Sequence, residues 1–311
     1  MDLHGLEYIV EIANMHSISK AAEKLYITQS TLSQFLSKLE NELGVKLFDR
    51  KRTEMSLTLA GKLYVDSCRH MLNEKKDLYN QLSDLNHSKF GSFTVGITPQ
   101  WGAIAFSHII GQFFALYPGI SVKVREEIAT PLTQLLHSGE IDMAIIPLKD
   151  NSPLPFKSNL LKAEELLLAI PRSHASNLPF HYTKGKDTLP FISINDLSHE
   201  PFIISQPQTT IRNLQDQCFE DAHISPKVIL EINSHPASLN MVEEGLGSTF
   251  VPISCTSPSD SIIYAHSIPE VSWHVVVAFR KGLPLNQSEL FFVRLLQDYF
   301  KTSSVEKNIL K

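Results

Sequence analysis

Residues 18–40 read ISKAAEKLYITQSTLSQFLSKLE, and their pattern predicts two amphipathic helices joined by a short turn. Apolar residues recur every three or four positions on both sides of a break at Tyr26-Ile27-Thr28, as they do in helices with one buried face. In the second helix, serine, glutamine and lysine separate the leucines, and the first carboxylate is Glu40. A solvated helix usually interleaves Glu with Lys, so this polar, acid-poor face is unusual.

The polar face of the second helix has the chemistry of a DNA-reading surface. A helical wheel at about 100° per residue places Leu32, Leu36, Leu39 and Leu43 on the apolar side. The opposite side carries Ser30, Gln34, Ser37 and Asn41, flanked by Ser33 and Lys38, with Glu40 and Glu42 toward the sides. Glutamine pairs with adenine, serine is adaptable, and lysine reaches guanine or phosphate. The alternative is an ordinary solvated helix. The candidate DNA contacts are Thr28, Gln29, Ser30, Thr31, Ser33, Gln34, Ser37 and Lys38.

A hairpin-like wing is predicted directly after this helix, which stops at Gly44. The segment VKLFDRKRTEMSLTLAG reads as two brief strands around a charged turn, and Arg50, Lys51 and Arg52 are candidate contacts to the DNA backbone. Residues 1–88 hold 11 Lys+Arg against 12 Asp+Glu, so any DNA-binding charge must be segregated on one face. A solvated charge run is the alternative interpretation.

A long helix is predicted from the cap Thr58 to about residue 88. Its apolar positions follow steps of four and three, which is a heptad seam with one lysine in it. The seam consists of Tyr64, Cys68, Met71, Lys75, Leu78, Leu82 and Leu85. Such a seam on a connector favours pairing of two chains, whereas packing of the helix on its own domain is the alternative.

From Gly91 onward the pattern changes to alternating strands and helices, which predicts an α/β domain with largely parallel sheets. Within it we find no phosphate loop, no Gly-x-Ser-x-Gly elbow and no pair of histidines at helical metal spacing. The sequence therefore predicts no enzyme, no cofactor and no metal site.

The composition is that of an ordinary soluble protein. Of the 311 residues 43% are hydrophobic and 20% charged, and the net charge is −5. No apolar run approaches the length of a membrane span, and no signal peptide is recognisable at the N-terminus. Cys68, Cys218 and Cys255 are too far apart to predict a disulfide framework. Cys218 and Cys255 are either thiol sensors or inert buried thiols. We expect a cytoplasmic protein without a membrane partner.

The residues quoted above resemble the winged helix-turn-helix of LysR-type transcriptional regulators. The resemblance rests on AAEKLYITQSTLSQFLSKLENELGVKLFDR followed by LTLAG, and it continues through VGITPQ, FFALYPGISVKV, LLHSGEIDMAI, LPFISINDLSHEPFIIS and VEEGLGSTFVP to about residue 300. It implies an all-α winged helix-turn-helix domain (1–58), a linker and dimerisation helix (59–89) and an effector-binding domain (90–311). The last would be a two-lobed α/β domain similar to periplasmic solute-binding proteins, with lobe I at about 90–163 and 266–300 and lobe II at about 164–265. It also implies a homodimer or homotetramer that binds double-stranded DNA.

The resemblance places two strand-to-helix junctions on opposite walls of an effector cleft. One contains Thr98, Pro99 and Gln100, and the other contains Gln206, Thr209 and Thr210. Free N–H groups at helix starts, together with hydroxyls, suit a small anion such as a carboxylate. Weaker wall candidates are Pro147, Asn233 and Ser234, and Trp101 either lines the cleft or fills the core. The two threonines Thr98 and Thr209 could instead merely cap helices.

These patterns predict a DNA-binding transcriptional regulator controlled by a small-molecule effector. Two other classes remain open. The first is a solute-binding or receptor module whose N-terminal helices serve assembly only. The second is a metabolic enzyme.

Overall fold

The computed structural model describes residues 3–49, 55–85, 90–99, 101–149, 156–182, 189–280 and 284–302. The predicted contacts Arg50, Lys51, Arg52 and Gln100 lie outside the described residues. The chain divides into two compact units. The N-terminal unit is Met1–Ser92 with Ser138–Glu140, and the C-terminal unit is Phe93–His137 with Ile141–Lys311.

The N-terminal unit contains the predicted helix-turn-helix and wing. Its elements are α1 (Leu3–Met15), α2 (Ile18–Lys24), α3 (Gln29–Leu43), β1 (Phe48–Asp49), β2 (Ser56–Leu57) and α4 (Leu59–Leu85). Strands β1 and β2 pair antiparallel. Helix α3 ends at Gly44, whose φ of 70° lies in the left-handed region that glycine adopts without strain. The elements share one core formed by Leu6, Ile9, Ile12, Ala13, Ala21, Ala22, Leu32, Leu36, Leu47, Phe48, Val65 and Cys68.

Helix α4 packs against this core with one part of its length and leaves apolar side chains exposed along another. Tyr64 and Cys68, the first two residues of the predicted seam, pack in the core of the N-terminal unit. At Tyr64 and Cys68, the helix therefore packs on its own domain, which was the alternative to pairing of two chains. Met71, Leu78 and Leu82 are exposed. Between these positions, the ammonium of the seam residue Lys75 lies 3.8 Å from the Glu7 carboxylate of α1.

The C-terminal unit alternates strands and helices as the sequence predicts. Its strands are β3 (Gly91–Ile97), β4 (Ile120–Glu126), β5 (Met143–Leu148), β6 (Lys157–Pro171), β7 (Phe191–Ser193), β8 (Pro201–Ile204), β9 (Lys227–Glu231), β10 (Thr249–Pro252), β11 (Ile262–Ile268) and β12 (Ser272–Phe279). Its helices are α5 (Trp101–Leu116), α6 (Ala129–Ser138), α7 (Thr210–Asp221), α8 (His235–Glu243) and α9 (Gln287–Thr302). Rings of Phe93, Phe113 and Phe292 from β3, α5 and α9 pack edge to face at centroid distances of 5.4–5.6 Å.

The sheets are mixed, so the prediction of largely parallel sheets is wrong. The strand order of the large sheet is β4-β3-β5-β12-β6-β11-β7, and β10 also pairs with β6. Parallel pairs are β3 with β5, β7 with β11, and β8 with β9. The pairs of β12 with β5 and β6, and of β6 with β10 and β11, are antiparallel. The apolar pattern of a buried strand is the same in both directions, which is why the sequence did not reveal this.

The long strand β6 joins the two parts of the C-terminal unit. Its residues Lys157–Glu165 pair with β12, and Leu166–Pro171 pair with β10 and β11. We use lobe I for β3, β4, β5, β12 and their helices α5, α6 and α9. We use lobe II for β7–β11 with α7 and α8. One continuous strand, β6, therefore runs through both lobes.

Candidate functional site

A group of hydroxyls surrounds the start of α3. The Thr28 hydroxyl accepts a hydrogen bond from the backbone N–H of Thr31 at 3.2 Å and therefore caps the helix. The same oxygen lies 2.9 Å from the Ser30 hydroxyl and 2.8 Å from the Thr31 hydroxyl. Thr28, Gln29, Ser30 and Thr31 are all exposed. The helix start thus offers several uncharged hydrogen-bonding groups to a partner.

Further along α3, the predicted polar face forms a shallow surface depression. Gln34 and Lys38 are exposed, and Ser33 and Ser37 are half-buried. The depression is lined by Ser33, Gln34, Ser37, Lys38, Asn41 and Glu42. The Glu42 carboxylate lies 4.0 Å from the Lys38 ammonium, at the flank where the wheel places both residues. An acid therefore borders the polar face within the last turn of α3.

Glu40 holds the wing against α3, a role that the sequence did not reveal. Its carboxylate is fully buried and accepts hydrogen bonds from the backbone N–H groups of Leu47 (2.9 Å) and Phe48 (3.2 Å). The Lys46 ammonium donates to it at 2.8 Å. Burial raises the pKa of Glu40, but these hydrogen bonds outweigh burial and hold that pKa below its usual value. Lys46, which belongs to the basic cluster of the wing, is therefore engaged within the fold.

Hydrogen bonds at the start of α4 also hold the wing in place. The Thr58 hydroxyl donates to the carbonyl of Lys46 at 2.7 Å and accepts from the N–H of Gly61 at 2.9 Å, so it caps α4 as predicted. A side chain at Gly61 would overlap the carbonyl oxygen of Leu47. The LTLAG segment therefore fixes the wing relative to α4, and only glycine leaves room for that approach.

The C-terminal unit contains a cavity of about 80 Å³ between elements of lobe I and lobe II. Its described lining is Thr98, Pro99, Ile128, Ala129, Pro147, Thr209, Thr210, Ile211, Asn233, His235 and Trp273. None of these residues is an acid, a lysine or an arginine. The lining is therefore polar through hydroxyl, amide and imidazole groups, and the remaining wall is apolar.

Four helices contribute residues at or next to their N-termini to this cavity. Thr98 and Pro99 precede α5, and Ile128 and Ala129 begin α6. From lobe II, Thr209 and Thr210 begin α7, while Asn233 and His235 lie at the start of α8. Backbone N–H groups without helical partners and the positive ends of helix dipoles occur at such positions. The cavity therefore lies at the N-terminal ends of four helices, two from each lobe.

Several predicted wall residues make defined contacts at the cavity. The Thr209 hydroxyl accepts from the N–H of Arg212 at 3.2 Å and donates to the carbonyl of Gln206 at 2.9 Å, so Thr209 acts as the cap of α7. The Thr210 hydroxyl donates to the carbonyl of Pro147 at 3.2 Å and thereby joins lobe II to lobe I. Pro147 and Thr98 line the cavity as expected.

Of the remaining predicted wall residues, Asn233 lines the cavity, whereas Gln206 and Ser234 do not line it. The Asn233 side chain lines the cavity, accepts from the N–H of Gln206 at 2.9 Å and donates to the Gln206 side chain at 3.1 Å. Gln206 thus supports Asn233 without lining the cavity itself. Ser234 caps α8 by accepting from Ala237 N–H at 3.3 Å. Trp101 begins α5.

His235 and Trp273 are cavity residues that the sequence analysis missed. Burial lowers the pKa of His235 to about 4, so the imidazole is neutral near pH 7. The indole N–H of Trp273 donates at 3.0 Å to Glu164, a buried carboxylate on β6 that also accepts from Ser254 N–H at 2.9 Å. The position of His235 directly after Asn233-Ser234 could have indicated its role. Nothing in the pattern of β12 distinguishes Trp273 from a core residue.

The three cysteines have the properties of inert thiols. Burial raises the pKa of Cys68 to about 11, and it raises those of Cys218 and Cys255 to about 12. At such values the reactive thiolate is scarce near neutral pH. Within the described residues, no helix is long and apolar enough to cross a membrane, and no His, Cys, Asp or Glu cluster is suited to a metal ion.

Comparison with known proteins identifies both units. Residues 3–62 match the family model of the bacterial regulatory helix-turn-helix protein, lysR family. Residues 86–301 match the LysR substrate binding domain. The DNA-binding transcriptional dual regulator OxyR of Escherichia coli is 29% identical over 92% of this chain and 91% of its own length. A probable RuBisCO transcriptional regulator of Trieres chinensis is 30% identical over 80% of each chain.

Solved structures agree with this fold. A full-length OxyR variant from Pseudomonas aeruginosa has a TM-score of 0.70 with 23% identity, and it covers 99% of this chain and 97% of that chain. Full-length CbnR, solved in complex with its target DNA, has a TM-score of 0.58 with 19% identity, covering 96% and 99%. The relatives named here are regulators, which confirms the prediction of a non-enzymatic protein. The two family models together cover nearly the whole described chain, and the protein therefore belongs to the LysR family of bacterial transcriptional regulators.

Proposed function

We propose that this chain is a cytoplasmic regulator that binds double-stranded DNA through α3 and responds to a small carboxylate bound in the cavity between its lobes. It acts as a homodimer or homotetramer, because one short helix reads too few bases for a specific site. The proposal of a carboxylate effector rests on one cavity. Four helices begin at this cavity, and its described lining has no charged side chain.

The DNA-binding part of the proposal is supported by the chemistry of α3. Gln34 and Lys38 are exposed on a face with Ser33 and Ser37, and amide, ammonium and hydroxyl groups are the donors and acceptors that read base edges in the major groove. CbnR, which shares the fold, was solved on its target DNA. The family model of the helix-turn-helix protein covers α1–α3, the wing strands and the start of α4.

Replacing both Gln34 and Ser33 by alanine tests the recognition helix. We expect operator affinity to fall by about 1–3 kcal/mol for each specific contact that is lost, while affinity for unrelated duplexes stays similar. Affinity is measured by fluorescence anisotropy on DNA from the promoter region of the chain's own gene and on a scrambled duplex. Gln134→Ala, an exposed glutamine of α6, is the matched control. Unchanged operator affinity in the double variant would refute the assignment of α3.

The lining and the volume of the cavity support a small carboxylate as the effector. Helix starts and the Thr98 hydroxyl stabilise one negative charge, whereas a second charge would lack a cationic partner among the described lining residues. Pro99, Ile128 and Ile211 provide apolar contacts for the rest of a small ligand. A volume of about 80 Å³ favours a compact molecule in this conformation.

Thr98→Val tests the effector site. A thermal-shift screen of small monocarboxylates, dicarboxylates and amino acids should find monocarboxylates that raise the melting temperature of the wild-type chain. A ligand present at about 100 times its Kd adds about 2.7 kcal/mol of stability. We expect the valine variant to lose the shift, because valine keeps the shape of threonine but removes the hydroxyl. Thr133→Val on α6, outside the cavity, is the control. A shift that survives in Thr98→Val would place the ligand elsewhere.

Control of DNA binding follows from closure of the two lobes around the ligand. The hydrogen bond from Thr210 to the Pro147 carbonyl already links lobe II to lobe I across the cavity. A ligand shifts the population only by its difference in affinity for the open and closed forms. Closure then changes the geometry between subunits and with it the spacing or bending of the bound DNA.

A further inference from the structure

Tyr26 lies in the turn between α2 and α3 and is almost entirely exposed. Its relative exposure is 96%, whereas its neighbours Leu25 and Ile27 pack against the core of the N-terminal unit. An aromatic ring with so little burial adds nothing to hydrophobic stability. The tyrosine therefore has no role in packing within this unit.

The backbone at this position also disfavours tyrosine. Tyr26 has a φ of 56°, in the left-handed region, and it directly follows Leu25, the C-cap of α2. Its N–H donates to the carbonyl of Glu23 at 3.1 Å, and the N–H of Ile27 donates to the carbonyl of Ala22 at 3.0 Å. Helices that end with this pair of hydrogen bonds usually have glycine at the position that Tyr26 occupies. Neither burial nor backbone conformation explains why the residue is a tyrosine.

The location of the turn indicates what the side chain contacts. Tyr26 precedes the cap Thr28 by two residues, so it adjoins the exposed hydroxyls at the start of α3. When a helix-turn-helix binds DNA, the start of the second helix enters the major groove and the first helix crosses the backbone. The turn that joins them therefore lies over the phosphates at the edge of the groove. Tyrosine hydroxyls are among the neutral donors that contact phosphate oxygens.

We propose that Tyr26 is a DNA-backbone contact whose phenol hydroxyl donates a hydrogen bond to a phosphate. The contact extends the polar face of α3 across the turn and adds affinity without sequence preference. It rests on the DNA-binding function proposed above. Since tyrosine is neutral, the contact releases no counterion, in contrast to a lysine or arginine contact.

The test compares Tyr26→Phe and Tyr26→Gly in the full-length chain on a random-sequence duplex and on the promoter duplex, over a range of salt concentrations. Both variants should bind both duplexes about tenfold more weakly, because each loses a hydrogen bond to a charged group. The slope of log affinity against log salt should stay that of the wild type. Tyr182→Phe, an exposed tyrosine of the C-terminal unit (71%), is the matched control and should bind normally.

Thermal unfolding separates this role from a structural one. Tyr26→Gly should unfold at a temperature no lower than the wild type, and higher by up to about 4 °C, since glycine adopts this φ without strain. Wild-type affinity in Tyr26→Phe would overturn the proposed hydroxyl contact, as would a changed salt slope or a lowered unfolding temperature in Tyr26→Gly. Failure of the wild-type chain to bind either duplex would overturn the DNA-binding function itself.

Discussion

At the scale of single residues, Glu40 connects α3 to the wing. One carboxylate oxygen accepts the N–H groups of Leu47 and Phe48, and the other accepts from Lys46. These two backbone donors would otherwise be buried without a partner, which costs about 1–3 kcal/mol for each group. The Glu40 carboxylate therefore stabilises the wing beside α3.

Glu40→Gln should lower the free energy of unfolding by about 1–3 kcal/mol, because the amide group replaces a charged acceptor of three hydrogen bonds. The loss stays moderate because the Lys46 side chain, 67% exposed, can return to water. Urea unfolding near pH 7 measures the difference. Glu42→Gln, whose carboxylate is exposed beside Lys38, is the control and should change stability little.

The pH dependence of stability gives a second readout for Glu40. Its folded-state pKa lies below the ordinary value of 4.5, so its contribution is fully present above pH 4.5 and is lost as the pH falls through the folded-state pKa. The difference between the wild type and Glu40→Gln should therefore shrink in acid. A difference that is constant from pH 7 to below 4.5 would contradict this account.

The candidate DNA-contact residues could be predicted from the sequence, but the role of Glu40 could not. The spacing of Leu32 and Leu36 fixes which side of α3 is buried, and this is enough to assign Gln34 and Lys38 to the surface. A helical wheel does not reveal which other segment covers the helix. Glu40 is buried because the wing folds over it, and its partners lie six to eight positions later, beyond the end of α3.

At the scale of elements, α4 carries two different apolar surfaces. Tyr64 and Cys68 face the core of the N-terminal unit, while Met71, Leu78 and Leu82 are exposed. Exposed leucines at a spacing of four residues on a helix are typical of a seam between two chains. We propose that the exposed surface, defined by Met71, Leu78 and Leu82, pairs two subunits.

Leu78→Glu combined with Leu82→Glu should convert the protein to monomers, since four carboxylates would face one another across the pair of helices. Sedimentation equilibrium measures the mass. Leu290→Glu, an equally exposed leucine of α9 (48%), is the matched control and should leave the mass unchanged. An unchanged mass in the double variant would show that α4 does not pair the subunits.

The sequence was informative for helices and less informative for the sheet and the cavity. The stop of α3 at Gly44 and the cap of α4 at Thr58 are helix limits that the sequence predicts and the structure confirms. The change of partners along β6 depends on pairing between distant segments, which no local pattern encodes. The positions of His235 and Trp273 at the cavity also depend on how distant segments pack, so the sequence did not reveal them. The proposed domain and lobe boundaries, like the site residues, stay predictions.

At the scale of the whole molecule, specific DNA binding requires two recognition helices in one particle. A dimer of helix-turn-helix units addresses two half-sites, and their spacing follows from the geometry of the pair. Under the proposed function, a ligand bound in the C-terminal unit changes this spacing. Because residues 1–88 carry 11 basic and 12 acidic residues, net charge cannot substitute for correct placement of the two helices.

Footprinting of the full-length chain on DNA from its own promoter region tests the central claim most directly. We predict two protected half-sites in the major groove, separated by one helical turn of about 10–10.5 bp or a multiple of it. Protection should disappear in the Leu78→Glu, Leu82→Glu variant. A wild-type chain that leaves the DNA unprotected, or protects one half-site alone, would contradict the account.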